Sequence, residues 1–169
     1  SKLKNSTNDA YDMQKILKDK GFDVLYLENA NLRTMKKTLR KFTNKLRNSG
    51  VGLFYYAGHG IEVDGKNYLI PINANIPKKD EVEYEALAMN MVIDKMANAK
   101  NRLNLVILDA CRNDPYSRSG DGGLAQINNA QGMYIAFATA PKSVASDGSG
   151  RNGLFTKHLI ENIKKPNLE

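Results

Sequence analysis

The sequence predicts an α/β domain, with a mostly parallel sheet and helices on both of its faces. Two observations carry that expectation. Short apolar segments alternate with amphipathic stretches along the 169 residues, as strand–helix–strand units require. The segment 51–57 is a near-continuous apolar run, the pattern of a strand covered on both sides. One domain, residues 1–169, accommodates the chain, because this length suffices to bury about 70% of the unfolded surface around one core.

Each element has its own justification. Asn8 or Asp9 caps a first helix running to about Lys20, with Ala10, Met13, Ile16 and Leu17 turned inward, and Gly21 ends it. A strand is predicted over residues 23–27. In residues 31–50, Leu32, Met35, Leu39, Phe42 and Leu46 recur at spacings of three and four, the stripe of an amphipathic helix. After the strand at 51–57 comes a polar excursion from Glu62 to about Glu83, with a hairpin turn at Asp64-Gly65. A helix rich in Ala and Met is expected over 84–99, and a third strand over 103–108. A loop loaded with Gly, Ser and Asn fills 112–131. A fourth strand follows at 133–138, then a second Gly/Ser loop at 146–153 and a closing helix over about 154–163. No internal repeat is visible.

Composition narrows the function classes. With 41% apolar and 25% charged residues the chain is ordinary globular protein, which excludes disordered, collagenous and low-complexity classes. No apolar run approaches the roughly 18 residues of a membrane span. The opening residues form no apolar signal segment, and a single cysteine makes no internal disulfide, so a reducing, cytoplasmic setting is expected. The net charge of +7 is matched by seven basic residues within 31–50: Arg33, Lys36, Lys37, Arg40, Lys41, Lys45 and Arg47. That basic face lacks the interleaved aromatics of a stacking platform, so a solvated helix face is expected rather than nucleic-acid binding.

Right-handed crossovers place strands 51–57 and 103–108 side by side, about 4.8 Å apart, with their carboxyl ends on one edge. Ligands bind at that edge in open α/β sheets. The first strand runs into Tyr55-Tyr56-Ala57-Gly58-His59-Gly60, where glycines flanking the histidine allow a substrate chain to approach a mounted general base. The second runs into Leu108-Asp109-Ala110-Cys111-Arg112. A thiolate is a nucleophile, and a neighbouring imidazole lowers the thiol pKa and protonates the leaving amine. Alone, such a cysteine is commonly a small buried hydrophobe and such a histidine commonly structural. Together, at adjacent strand ends, they point to catalysis. His158, among Leu154, Phe155 and Leu159 of the closing helix, reads as structural.

These motifs resemble the histidine and cysteine motifs of caspase-like cysteine proteases, particularly paracaspases and bacterial metacaspase-like relatives. His59 lies 52 residues before Cys111, close to the roughly 50 of caspases. The likeness extends through Asn8-Asp9-Ala10, Gly21-Phe22, Phe137-Ala138-Thr139-Ala140-Pro141 and Asn152-Gly153-Leu154-Phe155-Thr156. It implies a caspase-like three-layer sandwich in which Cys111 is the nucleophile and His59 the general base and acid. The backbone N–H groups of Gly60 and Cys111 would form the oxyanion hole, with no metal or other cofactor. Related metacaspases respond to calcium, and Asp80-Glu81-Val82-Glu83 could bind it weakly, although a solvated helix start accounts for those charges more simply.

The resemblance also has departures. Caspases carry Gln-Ala-Cys-Arg-Gly, whereas this chain has Asp109 and Asn113 at the outer positions, so cleavage after Asp is not implied. No apolar strand precedes the Asn8-Asp9 helix, and the family's last strand, which often supports dimerisation, is not identifiable. A homodimer is therefore only a weak expectation.

Residues two apart on an extended segment face the same way, so Asp109 is expected beside Cys111. A carboxylate there opposes thiolate formation and is better explained as a substrate receptor. Asp147 and Asp9 are expected at the same edge, and in the paracaspase-like pattern matching acidic residues line the pocket for the residue before the scissile bond. Three carboxylates imply Arg or Lys there, with Arg favoured for its bidentate fork. The plainer alternatives are a helix cap for Asp9 and a turn for Asp147-Gly148. Arg118, in a polar Gly-rich loop downstream of Cys111, is a candidate autocleavage site. The expected function is a cysteine endopeptidase cutting after Arg or Lys in peptides or proteins. The alternatives are a non-catalytic regulatory module of the same fold, or a legumain-like or separase-like protease of other specificity.

Overall fold

The computed structural model describes residues 5–47, 50–112, 132–138 and 150–165. Its elements in order are α1 (Ser6–Asp19), α2 (Leu32–Leu46), β1 (Val51–Val63), β2 (Lys66–Leu69), a 3₁₀ turn (Lys79–Glu81), α3 (Val82–Glu85), β3 (Leu87–Ala88), α4 (Met89–Ala97), β4 (Leu103–Arg112), β5 (Met133–Phe137) and α5 (Leu154–Lys164). The strands form one sheet in the order β3-β2-β1-β4-β5. β1, β4 and β5 run parallel, while β2 and then β3 pair antiparallel, so four of the five strands share one direction. This is the mostly parallel sheet expected from the sequence.

The pleat of β4 sorts the core. Val106, Leu108 and Ala110 are buried against Leu39 and Leu46 of α2 and Met89, Val92 and Met96 of α4. On the opposite face, Leu53 and Tyr55 of β1 pack against Met13, Ile16 and Leu17 of α1 and Ile160 of α5. Helices therefore cover both faces, giving three layers. The apolar stripe of α2 is as predicted, and its N-cap is Asn31, whose side chain accepts from the Thr34 N–H at 2.9 Å. All seven basic residues of this segment are exposed, with Lys45 paired to Asp23. Among the described residues no helix is long and apolar enough to cross a membrane.

The hairpin after β1 also follows the sequence. Asp64 and Gly65 have φ of 50° and 76°, the two left-handed residues of a type I′ turn, whose twist matches the flanking strands. The Gly65 N–H is held by the Glu62 carboxylate at 2.6 Å.

Five boundaries differ from expectation, one of them β4, which runs past residue 108 to Arg112 and so holds Cys111 inside the strand. Residues 23–27 are not a strand: a ladder needs a partner, and a groove of about 1150 Å³ lies between this segment, α1, α2 and β1. Correspondingly, the second edge of β1 over residues 51–57 has no strand partner among the described residues. β1 itself does not stop at residue 57 but continues to Val63, because its last four residues pair with β2. The helix expected over 84–99 breaks into α3, β3 and α4. Leu87 and Ala88 pair with Leu69 and Tyr68, and that sheet pairing overrides local helix propensity. Finally, α1 begins at Ser6, with Asn5 rather than Asn8 or Asp9 at its N-cap position.

Candidate active site

β1 and β4 pair in parallel without a break from Val51↔Leu103 to Gly60↔Arg112, so every partner is 52 positions away in sequence. That register sets His59 opposite Cys111 on the adjacent strand and Ala57 opposite Asp109. His59 is half-buried. Because β1 runs past it, the histidine sits inside the strand, at the junction of the parallel sheet and the hairpin, and not at a free strand end.

The His59 backbone is fixed from two directions. Its carbonyl accepts the Ile70 N–H at 3.0 Å and the Tyr56 hydroxyl at 2.8 Å. Tyr56 also approaches the Ile70 carbonyl at 3.2 Å. Peptide groups along a strand point alternately to its two edges, so with the His59 carbonyl turned to the β2 side, the Gly60 N–H points toward β4. Gly58 is required by this arrangement, since a Cβ there would lie 2.5 Å from the Tyr56 hydroxyl oxygen and 2.6 Å from its Cζ. Gly58→Ala is expected to displace the Tyr56 ring and lower stability by about 1–3 kcal/mol, checked by urea denaturation.

A carboxylate cluster lies at the start of α5. Asp9 is only 4% exposed, and its carboxylate accepts the Gly153 N–H at 3.0 Å. Asp109 accepts from the Thr156 hydroxyl at 2.5 Å. A Cβ on Gly153 would sit 3.3 Å from Asp9 Oδ2 and 3.5 Å from Asp109 Oδ2, so the glycine lets both carboxylates close on one backbone position. The helix N-terminus beneath them favours negative charge. Neighbouring residues of α1 hold the same segment: Asn8 donates to the Arg151 carbonyl, and Asp12 takes a two-point contact from Arg151 at 2.9 and 3.2 Å and a bond from Asn152. The Arg151 bonds keep the Asp12 carboxyl below its ordinary range. Asn8 and Asp9 thus clasp another helix instead of capping their own.

Asp9 does not ionise as an ordinary aspartate does. Burial pushes its pKa up to about 6, opposed by the Asn152 and Gly153 hydrogen bonds and reinforced by the charges of Asp109 and Asp12. The folded protein therefore holds the Asp9 proton more tightly than the unfolded chain does, and through this group stability declines as pH rises from about 4 to about 6. Asp9→Asn keeps an oxygen for the Gly153 N–H and removes the titration. Unfolding free energies measured from pH 4 to 7 are expected to show wild type losing about 1–3 kcal/mol relative to Asp9→Asn across that window. A relative gain would contradict the shift.

The expectation for His158 falls differently. His158 is exposed on α5 and meets Glu161 at 3.2 Å, so it is a surface residue and no part of the core. Glu81 of the acidic stretch turns back to the Lys78 N–H. Among the described residues no group of three or more His, Cys, Asp or Glu side chains converges as metal ligands. Asp147 and Arg118 lie outside the described residues. Sequence reasoning missed Tyr55 and Thr156, whose hydroxyls are 2.6 Å apart beside Asp109. The available signal was a hydroxyl on the buried stripe of a helix.

The whole chain, residues 1–169, matches the family model described as the caspase domain. It is 31% identical over 165 residues to human (Homo sapiens) mucosa-associated lymphoid tissue lymphoma translocation protein 1, covering 96% of this chain and 20% of the relative. The mouse (Mus musculus) homolog matches with the same identity and coverage. The chain thus spans about a fifth of the length of the curated relatives it matches. Extended over the full sequence, with the mostly parallel sheet and two helical layers around it, this match places the chain in the caspase-domain family of cysteine peptidases.

Proposed function

We propose that this domain is a cysteine endopeptidase that hydrolyses peptide bonds after Arg or Lys through a Cys111–His59 dyad. The observation that carries it is the register setting His59 opposite Cys111 across two paired parallel strands in a caspase-family chain. Cys111 attacks the scissile carbonyl, with its thiol proton taken by His59, which then protonates the leaving amine. By the family resemblance, the Gly60 and Cys111 N–H groups are the donors for the developing oxyanion. No metal enters this chemistry.

The basic specificity rests on Asp109 and Asp9, drawn together at Gly153 two residues along β4 from the nucleophile position. Asp147 is the third acidic residue of the proposed pocket. Two carboxylates in one partly water-excluded site strongly favour a cationic partner, and a planar guanidinium bonds them at two points. With the Asp9 pKa near 6, the pocket gains its second charge as pH rises through that value. The deciding experiment is a panel of fluorogenic peptides ending in Arg, Lys, Asp or Asn. Turnover confined to Arg and Lys supports the proposal, and preference for Asp or Asn would overturn the pocket assignment.

A further inference from the structure

Two residues of α5 are buried, and they differ in kind. Ile160 joins the apolar cluster with Met13, Ile16 and Leu17, whereas Thr156 carries a hydroxyl with 0% exposure. A hydroxyl in such a place is costly unless its bonds are made. Here they are made in a fixed direction. An ionised carboxylate only accepts, so the single Thr156 proton goes to Asp109 Oδ2 at 2.5 Å. The Tyr55 hydroxyl, 2.6 Å from Thr156 Oγ1, must then donate to it. Burial, with the charges of Asp109 and Asp9 nearby, holds the Tyr55 phenol well above its usual pKa, so its proton stays in place. The result is a directed chain from β1 through α5 to β4: Tyr55 to Thr156 to Asp109.

We propose that Tyr55 and Thr156 are positioning residues that fix the plane of the Asp109 carboxylate and so set the preference for Arg over Lys. This rests on the basic pocket proposed above and names what orients it. A carboxylate oxygen accepts two bonds, so the Thr156 bond constrains Asp109 without saturating it. A guanidinium engages a carboxylate through a rigid planar fork and needs that plane held. An ammonium is a point charge with three rotatable donors and tolerates a turned carboxylate. Loosening the chain therefore costs Arg recognition more than Lys recognition.

The test compares Thr156→Val, Tyr55→Phe and Thr156→Ser with wild type on matched Arg and Lys peptides, reading kcat and KM separately. Losing the Thr156 bond to the charged Asp109 is expected to raise KM for Arg about tenfold in Thr156→Val, and losing the neutral Tyr55–Thr156 bond that orients it about threefold in Tyr55→Phe. With kcat nearly unchanged and Lys less affected, the Arg/Lys ratio of kcat/KM falls. Thr156→Ser, which keeps the hydroxyl, retains the wild-type ratio. An unchanged ratio in Thr156→Val and Tyr55→Phe overturns the proposal, and if Thr156→Val does not fold, Tyr55→Phe decides alone. Asp109→Asn, run alongside, separates the two proposals. Collapse of Arg cleavage there, with unchanged ratios in the other variants, overturns the positioning chain only. Arg cleavage that survives Asp109→Asn overturns the pocket and the chain together.

Discussion

Replacing Cys111 with alanine is expected to reduce peptide hydrolysis by about 10⁴-fold or more, to the background of the assay, because the proposed dyad then lacks its nucleophile. The sequence contains no second cysteine to substitute for it. His59→Ala should be nearly as severe for turnover but differs in a second measurement. In the proposed dyad the imidazole activates the thiol, so without it alkylation of Cys111 by iodoacetamide at pH 7 is expected to slow. The pair of variants thus separates loss of the nucleophile from loss of its activation. Substantial turnover in purified Cys111→Ala would reject the dyad outright.

Asp109→Asn is expected to lower kcat/KM for Arg peptides by about a hundredfold or more, the scale for removing one partner of a desolvated, hydrogen-bonded charge pair. Asparagine is nearly isosteric and still accepts from Thr156, so the fold should survive. The reactivity of Cys111 is the informative control. A carboxylate two residues along the strand opposes thiolate formation, so neutralising it should leave alkylation unchanged or make it faster. Loss of alkylation together with cleavage would show that Asp109 supports the sulfur and not the substrate.

The sequence exposed what depends on local pattern. The α2 stripe, the Asp64-Gly65 turn and the apolar runs of β1 and β4 each follow from a period or a turn chemistry, and the structure contains all of them. It was opaque where distant pairing decides. Residues 23–27 have the composition of a strand, but a strand exists only with a partner, and none is visible in the composition of the segment itself. Leu87 and Ala88 sit inside a helical pattern and are drawn out of it by Tyr68 and Leu69. The site divides in the same way. The register that sets His59 opposite Cys111 was legible because strand order predicts it. Asp9 was expected at the pocket edge or as a cap for its own helix, and its bond to Gly153 was hidden because the two lie 144 residues apart. Tyr55 and Thr156, 101 positions apart, share no motif at all.

The unbroken β1–β4 register also dictates when the site can come into being. All ten paired positions close a loop of the same 52 residues, at an entropic cost of about 3.5 kcal/mol before any ladder bond offsets it. The hairpin of β1 and β2 needs only adjacent residues and can form early, holding the His59 carbonyl through Ile70 while β4 is still uncoiled. As the chain emerges during synthesis, the histidine strand is thus complete long before the strand bearing Cys111, and Gly153 follows later still. A partly made or partly unfolded chain can hold a well-formed β1–β2 hairpin bearing His59 with neither the Cys111 strand nor the carboxylate clasp assembled. On the proposed function, hydrolytic competence would be confined to the finished fold, which would limit damage to the enzyme's own nascent chain.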